Sequence, residues 1–204
     1  MRLLQLLLVL AIAGCASVQQ PISDADRNKV SSAFIVPTVA KAPNMFYLGP
    51  GGATGLMFGA IGGALSASSI EESRRSFQTF VSRHGISIEE IVLEEIAAAF
   101  RQAGRLPLAD AASPQAHSMR IEIFQYGFSI PHGFSSKLVP ILGIRCELKD
   151  SSGRTVWGVS DRILSLGNPV EPVDPELIRN DAKAMESAWR AAAKHLALGI
   201  ASRY

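Results

Sequence analysis

The chain has 204 residues and a nearly balanced charge, with 20 Lys and Arg residues against 18 Asp and Glu residues and a formal net charge of +2 at pH 7. This length favours one globular domain with appendages. Sequence-independent binding of nucleic acid needs a concentrated basic face, and the sequence contains no such run, so we expect no nucleic-acid partner.

The first residues have the order of a secretory signal peptide. Arg2 supplies a positive charge, an apolar run follows from Leu3 to Ile12, and small residues precede Cys15. The apolar run has on the order of ten residues, whereas a membrane-spanning helix needs about twenty. The sequence therefore predicts a cleaved signal peptide over residues 1–14.

The signal ends in Ile12-Ala13-Gly14-Cys15, which resembles the lipobox of bacterial lipoproteins. The resemblance implies that Cys15 receives diacylglycerol and becomes the first mature residue, so that acyl chains such as palmitate hold the protein on a bilayer. In lipoproteins an Asp after this cysteine favours the inner membrane, so Ala16 implies the outer membrane. We expect a periplasm-facing protein, and the leaflet that it faces stays open. An ordinary secreted protein with a cysteine here by chance is the alternative.

A tether and a short strand are predicted after the signal. Residues 15–29 lack apolar periodicity, which is typical of a flexible connection between the lipid and the folded body. Residues 30–204 are predicted to form a single α+β domain. Ala33–Val36 predicts a strand, and Pro37 pushes that strand to a sheet edge or to an early end because proline lacks an N–H.

An uncharged, glycine-rich segment covers residues 49–70. Glycine recurs at every fourth position of this segment, at Gly51, Gly55, Gly59 and Gly63. On a helix such a glycine zipper lies on one face and lets another backbone approach closely, which favours helix packing or oligomerisation. Three interpretations stay open: a membrane-inserted or oligomeric helix, a helix packed within the fold, and a loop with accidental spacing.

Two helices are predicted after the glycine-rich segment. Possible caps at Ser68 or Ser69 precede acidic residues and an apolar stripe, and Gly85 can end this first helix. The second helix begins with the capping-box pattern Ser87-Ile88-Glu89-Glu90 and ends at Gly104.

The second half of the chain predicts strands and a final helix. Apolar residues alternate with polar ones over Met119–Ile123, and the alternation then changes parity, which predicts a bulge near Phe124-Gln125. A hairpin is predicted from Leu142–Leu148 and Thr155–Val159. A long amphipathic helix should begin after Asp174 and cover the sheet.

Together these elements predict an α+β fold with a small, mainly antiparallel sheet of about four strands, covered by about two or three helices. The hairpin Glu147–Trp157, an Asp and Gly turn followed by a strand with Trp, resembles small α/β lipoprotein domains such as the TolB amino-terminal domain and the curli secretion lipoprotein. The resemblance covers roughly Ile121–Tyr204 and the lipobox.

No spacing in the sequence indicates catalysis or metal binding. The histidines are widely separated, at His84, His117, His132 and His195. Cys146 is predicted to be a small buried side chain in a strand. We therefore expect no enzyme, no cofactor and no small-molecule substrate. The predicted function is an accessory or assembly subunit of a secretion, transport or envelope-maintenance complex, and the alternative is an oligomeric membrane-inserting or pore-forming lipoprotein that uses the glycine zipper.

Overall fold

The chain folds around three long strands. The computed structural model describes residues 19–50, 59–113 and 116–204. The strands in chain order are β1 (Gln19–Gln20), β2 (Ala33–Ile35), β3 (Ala40–Lys41), β4 (Phe46–Leu48), β5 (Leu108–Ala109), β6 (His117–Ser129), β7 (Val139–Lys149) and β8 (Thr155–Ile163). The helices are α1 (Asp24–Arg27), α2 (Gly59–Arg83), α3 (Ile88–Ala103), α4 (Pro175–Asn180) and α5 (Ala182–Ser202).

The strands form one mixed sheet in the order β1-β8-β7-β6-β2-β5. The pairs β6 with β7, β7 with β8, and β8 with β1 are antiparallel. β2, β3 and β4 run parallel to successive parts of β6, and β5 runs parallel to β2. The prediction of a small, mainly antiparallel sheet of about four strands under about two or three helices is therefore wrong. The described residues contribute eight strands to a mixed sheet and form five helices.

β2 is the strand predicted at Ala33–Val36, whereas the parallel strands β3 and β4, between residues 40 and 48, were missed. Each is two or three residues long, which is too short for polar and apolar residues to alternate recognisably. Pro37 and Pro43 interrupt residues 33–48, and β2 ends at Ile35, shortly before the first of these prolines. Long-range pairing with β6, which local sequence does not encode, makes these residues strands.

Two local predictions are confirmed. The Ser87 hydroxyl accepts a hydrogen bond from the Glu90 N–H at 3.1 Å and caps α3. The register between β6 and β7 shifts between Ile123 and Gln125, at the predicted bulge. Both features depend on neighbouring residues in the chain, which is why the sequence alone predicts them.

Helices α3 and α5 pack on one face of the sheet, where aromatic side chains fill the core. The ring of Trp157, which is completely buried, lies 6.0 Å from Phe100 of α3 and 5.5 Å from the C-terminal Tyr204. Trp189 of α5 stacks on Phe128 of β6 with the ring centroids 5.3 Å apart. Each such aromatic pair contributes about 0.5–1.5 kcal/mol beyond the burial of its area. The final helix covers the sheet, as its apolar face predicts.

Two helix boundaries differ from the prediction. The described part of α2 is already helical at Gly59, well before the predicted caps at Ser68 or Ser69. The predicted single C-terminal helix is divided at Asp181, whose carboxylate accepts hydrogen bonds from the N–H groups of Lys183 at 2.8 Å and Ala184 at 3.3 Å. The division arises because aspartate is favoured at an N-cap, where its carboxylate accepts hydrogen bonds from free N–H groups, and is disfavoured inside a helix.

Candidate functional site

One face of the central sheet is open to solvent. Along β6, β7 and β8 the inward side chains are buried beneath α3 and α5, while the outward positions carry Arg120, Glu122, Arg145, Glu147 and Arg162. The three arginines are exposed, so no helix of the described part of the chain lies over them. We call this surface, defined by these five residues, the open face.

Positive and negative side chains alternate across the open face. Glu122 is opposite Arg145 in the register, and Arg145 Nη1 donates to Glu122 Oε2 at 2.7 Å. Arg120 is opposite Glu147, whose Oε2 lies 3.4 Å from Lys149 Nζ. The Arg145 and Glu122 side chains are 44% and 43% exposed, so water screens their attraction and the pair stabilises the fold by at most ~1 kcal/mol. Charges held this weakly can exchange their partners for charges on another molecule.

A cleft borders the open face where the segment between β2 and β3 separates from β6. The Val36 N–H donates to the Met119 carbonyl at 2.9 Å, and the Ala42 N–H donates to the Ile123 carbonyl at 2.8 Å, which fixes both ends of the segment. The cleft has a volume of about 390 Å³. Its lining combines aliphatic and charged side chains, including those of Val36, Thr38, Ala40, Glu122, Arg145 and Glu147.

An aromatic ring extends the open face beyond the cleft. Phe124, at the bulge, places its ring over Gly143 of the neighbouring strand, where an added Cβ atom would come within 2.5 Å of the ring. The Arg145 guanidinium carbon lies 5.7 Å from the centroid of the same ring. Aromatic and arginine side chains are enriched in the energetic centres of protein interfaces. The open face therefore offers a cleft, alternating charges and an aromatic surface side by side.

The predicted site residues fall partly outside this structure. Cys15, Gly51 and Gly55 lie outside the described residues. The lipidation of Cys15 therefore stays a prediction. Gly59 and Gly63 belong to α2, and their proposed role in helix packing or oligomerisation also stays a prediction. The alternation of polar and apolar residues marked the outward positions of the open face. The sequence did not identify this face as a site, because alternation does not reveal whether a second layer covers the outward side chains.

The later part of α2 packs against the sheet of its own domain. The ring of Phe77 lies 5.0 Å from Tyr47 and 5.9 Å from Phe128, and its side chain is almost completely buried. Within residues 19–50, 59–113 and 116–204, no helix combines the length and the apolar character that crossing a bilayer requires.

Cys146 lies on the covered face of β7, as predicted. The thiol is completely buried, and loss of solvation raises its pKa to about 12. Thiol chemistry proceeds through the thiolate, so this side chain behaves as a small apolar residue. Among the described residues, no three His, Cys, Asp or Glu side chains gather as they would around a metal ion.

The described fold is that of an α+β protein with a mixed sheet, and neither a protein-family model nor a curated protein matches the sequence. A Xanthomonas campestris protein of the DUF330 family is similar to 55% of this chain, with 14% identity and a TM-score of 0.40, and the match spans 58% of that protein's chain. A PelC dodecamer from Paraburkholderia phytofirmans is similar over 90% of this chain and 94% of its own, with 11% identity and a TM-score of 0.41.

A minor lipoprotein from Acinetobacter baumannii is similar over 56% of this chain and 82% of its own, with 12% identity and a TM-score of 0.36. None of these similarities assigns an activity to this chain. The resemblance to the TolB amino-terminal domain and the curli secretion lipoprotein stays a prediction.

Proposed function

We propose that this chain is a non-enzymatic, lipid-anchored protein on the periplasmic side of the outer membrane, where it binds another envelope protein. In this role it is an accessory or assembly subunit of a secretion, transport or envelope-maintenance complex. The lipobox resemblance of Ile12-Ala13-Gly14-Cys15 supports the anchor, and Ala16 supports the outer membrane.

The open face is the observation that carries the binding part of the proposal. A covered sheet face buries apolar side chains, whereas this one presents Arg120, Glu122, Arg145 and Glu147 in alternating order beside an apolar-floored cleft. A partner with the opposite order of charges would replace the weak, solvent-exposed ion pairs of this face by intermolecular ion pairs that are shielded from water. Such pairs make binding specific and fix the register of the partner on the face. The aliphatic side chains of the cleft, among them Val36, suit one apolar side chain of that partner.

Photo-crosslinking in native membranes tests the binding face. Thr38, exposed at the cleft, is replaced by a photoreactive amino acid, and Lys194, exposed on α5, is replaced likewise in the control. We expect a discrete adduct of defined mass from the Thr38 variant and none from the Lys194 variant. An adduct of twice the mass of the chain would identify self-association instead of a second envelope protein.

A charge reversal makes the test specific to the proposed contact. Glu147→Lys in the Thr38 variant should remove the adduct because it breaks the alternation of charges, whereas Glu94→Lys, an equally large change on the exposed side of α3, should leave it. Detection of monomer alone from both photoreactive variants, or equal adducts from both, would reject the open face as the binding surface.

The anchor has its own test. Cys15→Ser removes the thiol that lipidation requires, so we expect this variant to leave the membrane fraction and its N-terminal peptide to lack the acyl mass. Cys146→Ala is the matched control, because it removes the other cysteine and should keep the protein on the membrane. Release of both variants, or of neither, would contradict anchoring through Cys15.

A further inference from the structure

Two loops emerge at one end of the sheet. Ser129 at the end of β6 is opposite Val139 at the start of β7, and β8 ends nearby at Ile163. The loops 130–138 and 164–174 therefore leave the sheet on the same side. Leu138 and Val173 join them through two backbone hydrogen bonds of 2.8 and 2.7 Å. We call this region, residues 130–138 and 164–174, the loop end.

The loop end exposes large apolar side chains on ordered backbone. Phe134 is 90% exposed and Leu166 is 83% exposed. Beside Leu166, the Asn168 side-chain amide donates to the carbonyls of Pro140 at 2.7 Å and Leu164 at 2.9 Å. Beside Phe134, the Ser135 N–H donates to the His132 carbonyl at 3.0 Å. Exposed apolar side chains held outward at one site are typical of a surface that meets a protein or a membrane.

The direction of β1 shows where the N-terminal residues enter the domain. Gln19 is opposite Val159 and Gln20 is opposite Gly158 in antiparallel register, while β8 continues from there toward Ile163. The N-terminal end of β1, at Gln19, therefore points toward the loop end. Cys15 is separated from Gln19 by four peptide bonds, which span at most ~14 Å in any conformation.

The glycine-rich segment is connected to the same end. Leu48, the last residue of β4, is opposite Ser129 at the end of β6. Residues 49–70, which carry no charge, therefore start beside the loop end. Gln19 is opposite Val159, four residues before the end of β8, and β1 points from there toward the end of the sheet where Leu48 lies and where Phe134 and Leu166 are exposed.

From this arrangement we infer that the loop end docks on the lipid bilayer and that Phe134 and Leu166 enter its interfacial region. The inference rests on the proposed lipid anchor at Cys15, which would bring the loop end to the membrane surface. The strands then run away from the bilayer, the turn at residues 150–153 points into the periplasm, and the open face stands beside the membrane where a partner can reach it.

Quenching by brominated lipids tests the docking. Phe134→Trp, in the full lipidated protein, is reconstituted into vesicles of phosphatidylethanolamine and phosphatidylglycerol with or without brominated acyl chains. Gln102→Trp is the control, an exposed position at the end of α3. The native Trp157 and Trp189 are completely buried and give a constant background. We expect brominated lipids to reduce the added emission of Phe134→Trp, and of a second variant, Leu166→Trp, but not of Gln102→Trp.

The outcomes separate docking from anchoring. Mass spectrometry of the N-terminal peptide and flotation with the vesicles report the anchor independently of fluorescence. Acylated, floating protein in which Phe134→Trp and Leu166→Trp are quenched no more than Gln102→Trp would overturn the docking and leave the anchor intact. Protein without the acyl group that fails to float would overturn the anchor, and the docking with it.

Discussion

Arg154, in the turn between β7 and β8, holds Asp26 of α1. Its Nη2 atom donates to Asp26 Oδ1 at 2.8 Å and its Nη1 atom donates to Oδ2 at 3.3 Å. The sequence predicted that residues 15–29 are a tether, yet Gln19–Gln20 and Asp24–Arg27 belong to the fold. The Arg154 contact fixes this part of the chain to the body of the domain.

This contact makes stability depend on pH in acid. The hydrogen bonds from Arg154 and Ser23 lower the pKa of Asp26 from 3.8 to about 2. A carboxylate with a lowered pKa stabilises the fold fully above its unfolded pKa and loses that contribution as the pH falls through its folded pKa. We expect Arg154→Ala to raise the pKa of Asp26 toward 3.8 and to reduce this loss of stability between pH 4 and pH 2, while the Ser23 hydrogen bond keeps part of it.

Carboxyl-carbon NMR titration measures the pKa directly, and urea unfolding at each pH measures the stability. Arg162→Ala, which removes an exposed arginine of the open face, should leave the titration of Asp26 unchanged. An Asp26 pKa that is the same in the Arg154→Ala variant and in the wild type would show that Arg154 does not set it.

Gly127 of β6 should not tolerate a side chain. Its φ angle is +145°, and an added Cβ atom would overlap the backbone carbonyl of Phe46 in β4. We expect Gly127→Ala to destabilise the fold by about 2–4 kcal/mol, because the strain and the clash can be relieved only by moving β4. Gly133→Ala is the control, since its Cβ atom meets nothing within 4 Å, and urea unfolding should show a change close to zero. Equal midpoints for the two variants would refute the clash.

Phe77 should determine whether α2 stays on the sheet. Phe77→Ala removes a buried ring that contacts Tyr47 and Phe128, and we expect a loss of about 3–5 kcal/mol in the free energy of unfolding. Amide hydrogen exchange should then accelerate along the later part of α2. Phe80→Ala, three residues further on and only half-buried, should cost less than about 2 kcal/mol. Comparable losses would mean that Phe77 is not the main contact of the helix.

The number of reactive thiols tests both the burial of Cys146 and the lipidation of Cys15. Cys146 is buried with a raised pKa, so we expect no reaction with a thiol reagent in the native protein. After denaturation the membrane-purified protein should titrate one thiol, that of Cys146, because a lipidated Cys15 carries none. Titration of two thiols in the denatured protein would argue against lipidation.

The sequence predicted those elements whose signals are local and periodic. The alternation in Leu142–Leu148, the parity change at Phe124 and the cap at Ser87 each reflect a few neighbouring residues, and each is present in the structure. The strands β3 to β5 were missed because each is stabilised by pairing with a distant partner. β3, for example, consists of two residues that are ordered by Glu122 and Ile123 of β6.

The candidate site was less accessible to sequence reasoning than the fold. Arg145 and Glu147 were visible as the polar positions of a strand, but their pairing with Glu122 and Arg120 depends on the register, which is a property of the assembled sheet. Phe134 and Leu166 lie more than thirty residues apart in the chain. Only the folding of β6, β7 and β8 places both at one end.

The short strands β2, β3 and β4 also affect how the protein behaves beside copies of itself. β6 has 13 residues, and a strand of that length with a bare edge would offer a continuous row of N–H and C=O groups to any extended chain. Its edge is instead covered in three pieces, broken by Pro37 and Pro43, so this side of the sheet presents short runs that are poor templates for a foreign strand. The proposed lipid anchor would concentrate the protein in the plane of a membrane, where such an edge would limit aggregation through β-strand addition.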